Sequence, residues 1–467
     1  MTQERFDLVV IGAGPAGEKG AAQAAYFGKR VAVVERSHAP GGTPATTGGM
    51  PTKTMREAAL YLTGFRRREV YGVGLDLPPE ISLDRIRARA REIVRLTVET
   101  VRENLERHGI ELVHGQGRLE PSRCVAVSGE TERSLRGDVV LIATGSRPFR
   151  PSTVPFDDPD VDDSESVLAL ERLPERLVVV GGGPVGCEYA SLFAALGVDV
   201  TLVDAGERLL PFIDAEMSDV LAEIFARMGI RLVMGRGVAT IGRVDGALAV
   251  TLANGEVLRP DKVLFAAGRA GNTEGLGLAE AGIEVDPRGR ILVDERYRTA
   301  AEGIYAAGDV IGPPALASVS AEQGRVAVCH AFGIPFKETV DPLPPFGVYS
   351  IPEVGMVGMT EEAAAAAGID HEVGRSWFAQ NPRARIAGTT DGLVKLVFRR
   401  DDRTLLGVHV LGDIASELVH IGQAVLHGSG TIDRFIHTTF NVPTYAEAFK
   451  YAAYDGLQRL SGPRSSA

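Results

Sequence analysis

Phe6–Glu35 reads FDLVVIGAGPAGEKGAAQAAYFGKRVAVVE: a short apolar strand, a glycine turn, an alanine-rich helix, a second apolar strand and a terminal acid. Gly12, Gly14 and Gly17 stand in the order G-x-G-x-x-G, with Glu35 closing the second strand, the spacing of a dinucleotide-binding βαβ unit. Each residue has a separate task. Gly12 permits the tight turn, Gly14 lets the backbone approach a pyrophosphate, and Gly17 lets the helix pack on the strand. The helix N-terminus offers unpaired N–H groups to the anion, and Glu35 accepts from ribose hydroxyls. Pro15, Ala16 and Arg36 adjoin these groups and are assigned to the same contact.

Leu177–Asp204, LVVVGGGPVGCEYASLFAALGVDVTLVD, repeats the device with Gly181, Gly183 and Gly186 and the acid Asp204. Val185 lies in the turn and is counted with it. Two complete units in one chain point to two bound dinucleotides. An acid at position 204 favours a free ribose 2′-hydroxyl, and hence NAD(H), over a 2′-phosphate. Arg208, close by in sequence, tempers that preference.

Composition narrows the field. At roughly 150 residues per domain, 467 residues imply about three domains. With 45% hydrophobic and 24% charged residues the chain is of ordinary globular type. A net charge of −11 disfavours a nucleic-acid partner, whose backbone recruits clustered Lys and Arg. Basic residues occur at Arg66–Arg68 and from Arg85 to Arg95; the latter alternate with Ile86, Ile93, Leu96 and Val101 as the solvated face of an amphipathic helix. Cys124, Cys187 and Cys329 are far apart, so neither a disulfide framework nor a metal site is expected, and a cytoplasmic setting is. No leader pattern or apolar run of about 18 residues is present, so no membrane partner is expected.

Further motifs carry a resemblance. Thr299–Val310, TAAEGIYAAGDV, resembles the second flavin motif of the two-dinucleotide-binding flavoproteins, which implies that Asp309 binds the ribityl chain of FAD. VVLIATGSRP and VLFAAGRAGNT resemble the crossover strands that end the FAD and NAD(P) segments, with Thr144, Gly145 and Gly268 at the turns. LASVSAEQG, Leu316–Gly324, resembles the helix after the flavin Asp, with Ala317 as a backbone contact and its N-terminal dipole toward the flavin. In this order the motifs resemble the class I pyridine nucleotide disulfide oxidoreductases nearly end to end. The resemblance implies an α/β fold with two Rossmann-like domains and a C-terminal α+β dimerisation domain. FAD would occupy 1–149 with 270–340, NAD(P) 150–269, and the dimerisation domain 341–467, entered through Pro342, Pro344 and Pro345. Gly42, Thr43 and Gly117 join the FAD contacts on the same basis, and the chain is expected to be a homodimer.

The resemblance also exposes what is missing. The family carries G-G-T-C-x-N-x-G-C-x-P-S-K beside the flavin; this chain reads GGTPATTGGMPTK over Gly41–Lys53, with Pro44 and Gly49 at the cysteine positions. Neither can serve as the thiolate that disulfide exchange requires. The family's C-terminal H-P-T-x-x-E reads VPTYAE, with Val442 in place of the histidine, and His437 upstream is expected to be merely solvated. Dithiol and base are lost together, while Lys53 and Glu188 remain. In the family these two pair beside flavin N5, where a cation stabilises the reduced ring.

Within the group, YSIPEVGMVG, ASELVHIGQAVL and TTFNVPTYAEAF are similar to the soluble flavin-containing pyridine nucleotide transhydrogenases. That likeness implies ping-pong hydride transfer in which NADPH reduces the flavin and NAD⁺ reoxidises it, without sulfur. Two other readings use the same residues. One is an NAD(P)H oxidoreductase that passes electrons to a quinone, dye, oxygen or other small organic acceptor, through an opening left where Pro44 and Gly49 replace cysteines. The other is a non-catalytic FAD/NAD-binding redox sensor, against which Lys53 and Glu188 stand. Trp377 is expected to pack in the C-terminal sheet, and the terminal SGPRSSA to be disordered.

Overall fold

The computed structural model describes residues 3–64, 83–129 and 132–461. The Arg66–Arg68 run and the end beyond Ser461 lie outside them. Two compact units are present: one gathers residues up to Met55, Asp84–Phe149 and Gly268–Asp341, the other Arg150–Ala267, Pro342 onward and the stretch beginning at Arg56.

In the first unit, β1 (Glu4–Ile11), β2 (Val31–Glu35), β3 (Glu111–His114) and β6 (Arg133–Ile142) run parallel in the order β3-β2-β1-β6. The Val, Leu and Ile runs of β1, β2 and β6 are buried on both faces, as parallel sheets require, while Leu112 of the edge strand β3 is exposed. The ten-residue β6 serves two neighbours. Its start pairs antiparallel with β5 (Cys124–Ser128), which pairs with β4 (Gln116–Glu120); its end pairs parallel with β17 (Ile304–Ala306). The chain returning after Gly268 thereby enters the sheet that the N-terminal segment began. Helix α1 (Pro15–Tyr26) packs on α7 (Ala317–Ala331) backbone to backbone, because a Cβ at Gly324 would lie 2.1 Å from Ala16 O. In the 25-residue α4 (Leu83–Arg107), Val101 and Leu105 join Leu8 and Val10 in the core. Its arginines face solvent as the amphipathic pattern predicts.

The second unit contains a parallel sheet in the order β11-β10-β9-β15-β8. Its strands are β8 (Val161–Asp163), β9 (Arg176–Val180), β10 (Asp199–Val203), β11 (Arg231–Val233) and β15 (Lys262–Phe265). Helix α5 (Pro184–Ala195) links β9 to β10, α6 (Ala215–Arg227) links β10 to β11, and a small antiparallel sheet, Val238–Leu258, precedes β15. The unit's other layer is an antiparallel sheet ordered β18-β19-β22-β21-β20. It comprises β18 (Phe346–Val348), β19 (Glu353–Gly358), β20 (His371–Trp377), β21 (Leu393–Arg399) and β22 (Leu405–Gly412). Helix α8 (Ala415–His427) lies on β19 and β22, and α9 (Glu447–Ser461) on β20 and β21. Trp377 ends β20 but is 39% exposed, so it packs less than expected.

A buried ion cluster joins the two layers of this unit. Lys395 of β21 is 1% exposed and reaches Asp214 and Glu216, both at 2.9 Å, and Glu361 at 2.5 Å. Asp214 caps α6 by accepting from Glu216 N, and its other oxygen accepts from Glu361 N. Among the described residues no helix is long and apolar enough to cross a membrane, and no group of three or more His, Cys, Asp or Glu could hold a metal ion.

Candidate dinucleotide sites

The two fingerprints fold alike at atomic detail. At the first turn glycine, Gly12 has φ +103° and a Cβ there would lie 2.4 Å from Ala143 O; its counterpart Gly181 has φ +119° and would meet Ala266 O at 2.7 Å. At the third, a Cβ on Gly17 would lie 1.9 Å from Gly12 O, and on Gly186 1.8 Å from Gly181 O. These four glycines are required by the chain itself. The middle ones are not. Gly14 has φ −73° and no atom nearer than 3.8 Å to its would-be Cβ, while Gly183 has φ −79° and nothing within 4 Å. Any residue could adopt that backbone, so the space both positions spare suits a ligand rather than the fold. Gly42, by contrast, is required by the chain itself, with φ +64° and a would-be Cβ 2.9 Å from Gly14 Cα.

The acids also match. Glu35 Oε2 accepts from Ala13 N and its Oε1 from Ser37 N, each at 2.8 Å. Asp204 Oδ2 accepts from Gly182 N at 2.5 Å and its Oδ1 from Gly206 N at 2.6 Å. Each carboxylate is thus pinned against its own glycine turn. The helices α1, α5 and α7 begin at Gly14, Gly183 and Leu316 without a side-chain cap, leaving first-turn N–H groups available to an anion. Pro15, Ala16 and Val185 lie in those first turns of α1 and α5, and the exposed Ala317 opens α7.

A cavity of about 470 Å³ opens beside the first cradle. Gly12, Glu35, Arg36, Gly117 and Thr144 line it, as do Arg147 and Asn272. Thr144 Oγ1 donates to Asn272 O, and Asn272 Nδ2 donates back to Thr144 O, at 2.7 and 2.9 Å. Gly145 O accepts from Asn272 N. Asp309 is half-buried and accepts from Ser146 Oγ at 2.8 Å and Ser320 Oγ at 3.3 Å. Gly268 has φ +111° and faces Arg288 rather than the cavity. The roles of Asn272, Arg147 and Ser146 have no fingerprint, since each depends on a partner over 100 residues away.

The loop without sulfur is compact. Gly42 and Thr43 open a short helix α2 (Gly42–Thr46) that holds Pro44, and Gly49 immediately precedes α3 (Met50–Thr63), which carries the half-buried Lys53. A Cβ at Gly49 would sit 2.4 Å from Pro44 O and 2.7 Å from Pro44 Cα. The two positions press on each other. All three cysteines are buried elsewhere; burial pushes the Cys187 and Cys329 thiols up, away from thiolate. Glu188 on α5 accepts from Tyr349 N at 2.9 Å. Val442 is 65% exposed and His437 is exposed at the end of its helix.

The comparisons agree with this geometry. Residues 6–324 match the model of the pyridine nucleotide-disulphide oxidoreductase family, and residues 344–453 that of its dimerisation domain. The soluble pyridine nucleotide transhydrogenase of Mycobacterium bovis is 43% identical over 97% of this chain and 98% of its own. The protein of the same name from Marinomonas sp. is 38% identical over 98% of this chain and 100% of its own. Among solved structures, the Cu(II) complex of the HOCl-induced flavoprotein disulfide reductase RclA from Escherichia coli superposes with a TM-score of 0.87 at 28% identity, covering 97% of this chain and 99% of that one. With a family match that spans most of its length and relatives that run end to end, the chain belongs to the pyridine nucleotide-disulphide oxidoreductase family.

Proposed function

We propose that this chain is a FAD-dependent pyridine nucleotide transhydrogenase, a cytoplasmic homodimer that moves hydride between NAD(H) and NADP(H) without disulfide chemistry. One observation carries the reading: two complete dinucleotide cradles accompany a redox loop that has lost both its sulfurs and the space for one of them. Bound FAD supplies a ring that accepts hydride from one coenzyme and returns it to another. The residues of the chain bind, orient and polarise.

The Gly14 cradle, Glu35, Arg36, Gly117, Thr144 and Gly145 hold FAD together with Gly42, Thr43 and Asp309. The Gly183 cradle and Asp204 hold the coenzyme. Lys53 and the N-terminus of α7 at Ala317 set positive potential where the reduced ring gains negative charge. Glu188 is the carboxylate of the coenzyme side, already oriented by the Tyr349 N–H. The segments follow these roles: FAD on 1–149 and 270–340, the coenzyme on 150–269, subunit pairing on 341–467.

Asp204 suits NAD(H), whereas NADP(H) needs a cation for its 2′-phosphate. Arg208 meets that need, being 51% exposed and only loosely tied to Asp219 at 3.7 Å. An acceptor oxidoreductase finds less support, because the end-to-end relatives that this chain resembles are named transhydrogenases.

Anaerobic stopped-flow tests the proposal. NADPH or NADH should bleach the yellow protein, and a thio-nicotinamide analogue of NAD⁺ should restore the colour in the same time range. If only quinone or oxygen restores it, the transhydrogenase reading fails.

A further inference from the structure

Five consecutive residues in the second unit, Tyr349–Glu353, bond to three helices that lie far apart in sequence. Tyr349 N donates to Glu188 Oε1 at 2.9 Å, and Ile351 N donates to Ser191 Oγ at 3.0 Å, one turn further along α5. Ser350 O accepts from Arg56 Nε on α3 at 3.1 Å, and Glu353 Oε1 lies 3.1 Å from Arg56 Nη2. The latter contact is an ion pair without hydrogen-bond geometry. Arg56 Nη1 also meets Glu57. Glu353 Oε2 accepts from Ser416 N at 3.1 Å and Ser416 Oγ at 2.5 Å, at the start of α8.

Arg56 and Glu353 are only 4% and 6% exposed. A buried guanidinium is expensive unless paired, and hydrophobic side chains in place of such a pair are often as stable or more so. Helix α3 would bury a leucine at position 56 without that cost. What the pair adds is direction: it fixes α3, both along its axis and in rotation, at a point one turn after Lys53. A charge meant to act on a reacting ring is sensitive to displacement of about 1 Å.

We propose that Arg56 is a positioning residue for Lys53, and that Tyr349–Glu353 is the shared anchor that sets both α3 and α5. The inference rests on the reading of Lys53 as the cation beside the flavin. It assigns work in hydride transfer to a segment of the C-terminal sheet that no fingerprint marks.

The test compares Lys53→Met, the double variant Arg56→Leu with Glu353→Gln, and the triple variant combining them. Removing both charges avoids stranding one of them in the interior, and melting temperature and FAD content serve as controls on folding. The readouts are the midpoint potential of the bound flavin and its single-turnover reduction by NADH. Lys53→Met should shift the oxidised-to-reduced equilibrium roughly tenfold toward the oxidised form, about 30 mV for two electrons. The double variant should reproduce at least roughly a third of that shift on a logarithmic scale, and the triple variant should add nothing to Lys53→Met, the coupling expected of residues that act through one another. A double variant with unchanged potential, or a triple variant whose shifts add, overturns the positioning role while the Lys53 reading survives. If Lys53→Met itself changes neither readout, both fall.

Discussion

The contrast between the second and third glycines of the coenzyme fingerprint separates folding from binding. At Gly186 a new Cβ would lie 1.8 Å from Gly181 O, so α5 must move away by more than about 1 Å before the contact is tolerable. Overpacking of this kind costs roughly 1–3 kcal/mol or more. At Gly183 a new Cβ meets nothing within 4 Å and the backbone, φ −79° and ψ −175°, is open to alanine. There the substitution removes freedom from the unfolded chain and stabilises by roughly 0.4–1 kcal/mol. Gly183→Ala and Gly186→Ala should therefore differ by about 1.4–4 kcal/mol, which at 2–4 °C per kcal/mol is an apparent melting difference of roughly 3–16 °C. Yet Gly183→Ala, the better folded of the two, should lose at least tenfold in NADH affinity, about 1.4 kcal/mol, because its methyl occupies space that the pyrophosphate needs. Thermal unfolding by circular dichroism and NADH titration by flavin reduction, both on the FAD-loaded protein, decide the matter. A Gly183→Ala protein that binds NADH as tightly as the parent refutes the assignment of that space to a ligand.

Other outcomes follow from the same structure. Gly14→Ala should purify folded but with little FAD, judged by absorbance near 450 nm per chain. Arg208→Ala should raise the KM for NADPH at least roughly tenfold and leave that for NADH within about twofold; equal effects on both would remove Arg208 as the phosphate partner. Lys395→Met should cost about 3–5 kcal/mol in urea unfolding, since it strands carboxylates in the interior. Burial works to raise the Asp214 carboxyl, but the neighbouring His409 and Lys395 overcome it and hold it below the usual range; burial likewise opposes the charge of Lys395, which its carboxylates drive upward. A depressed acid stabilises above its unfolded value and loses that contribution as pH falls through the folded one, whereas a raised base stabilises below its unfolded value and loses it as pH rises. The cluster should therefore support the fold between about pH 4 and pH 10, with a pH profile of stability that Lys395→Met flattens at both ends.

Much of the architecture was legible because its signals are local. Each fingerprint packs strand, turn, helix and acid into 30 or fewer consecutive residues, and each role depends on neighbours within that span. Helix α8 is local in the same way, its buried Ala415, Leu418, Val419, Gly422 and Leu426 recurring at helical spacing within one stretch. What stayed hidden depends on distance. The double use of β6, antiparallel to β5 and parallel to β17, cannot be read from its own residues. In Leu393–Arg399, LVKLVFR, alternation alone does not predict that Lys395 is buried, because the carboxylates that make burial affordable come from residues 214, 216 and 361. Arg56 is buried because Ser350 and Glu353 meet it across almost 300 residues. Charged residues inside the fold were thus the hardest to place, since their burial depends on partners rather than on pattern.

The shape of the sulfur-free loop bears on why hydride transfer needs nothing more. A dithiol relay must lead electrons out of the flavin to a second substrate, and so it needs two side chains and an access route. At position 49 even a Cβ would collide with the backbone of Pro44, so the loop has no room for a side chain there. Transfer between two pyridine nucleotides by turns at one site needs no such route, since bound FAD would both accept the hydride and return it. On the proposed reading the residues that remain divide accordingly: two cradles for dinucleotides and, in Lys53, one cation for the reduced ring. The lost histidine, replaced by the exposed Val442, had a proton to manage only while thiols did.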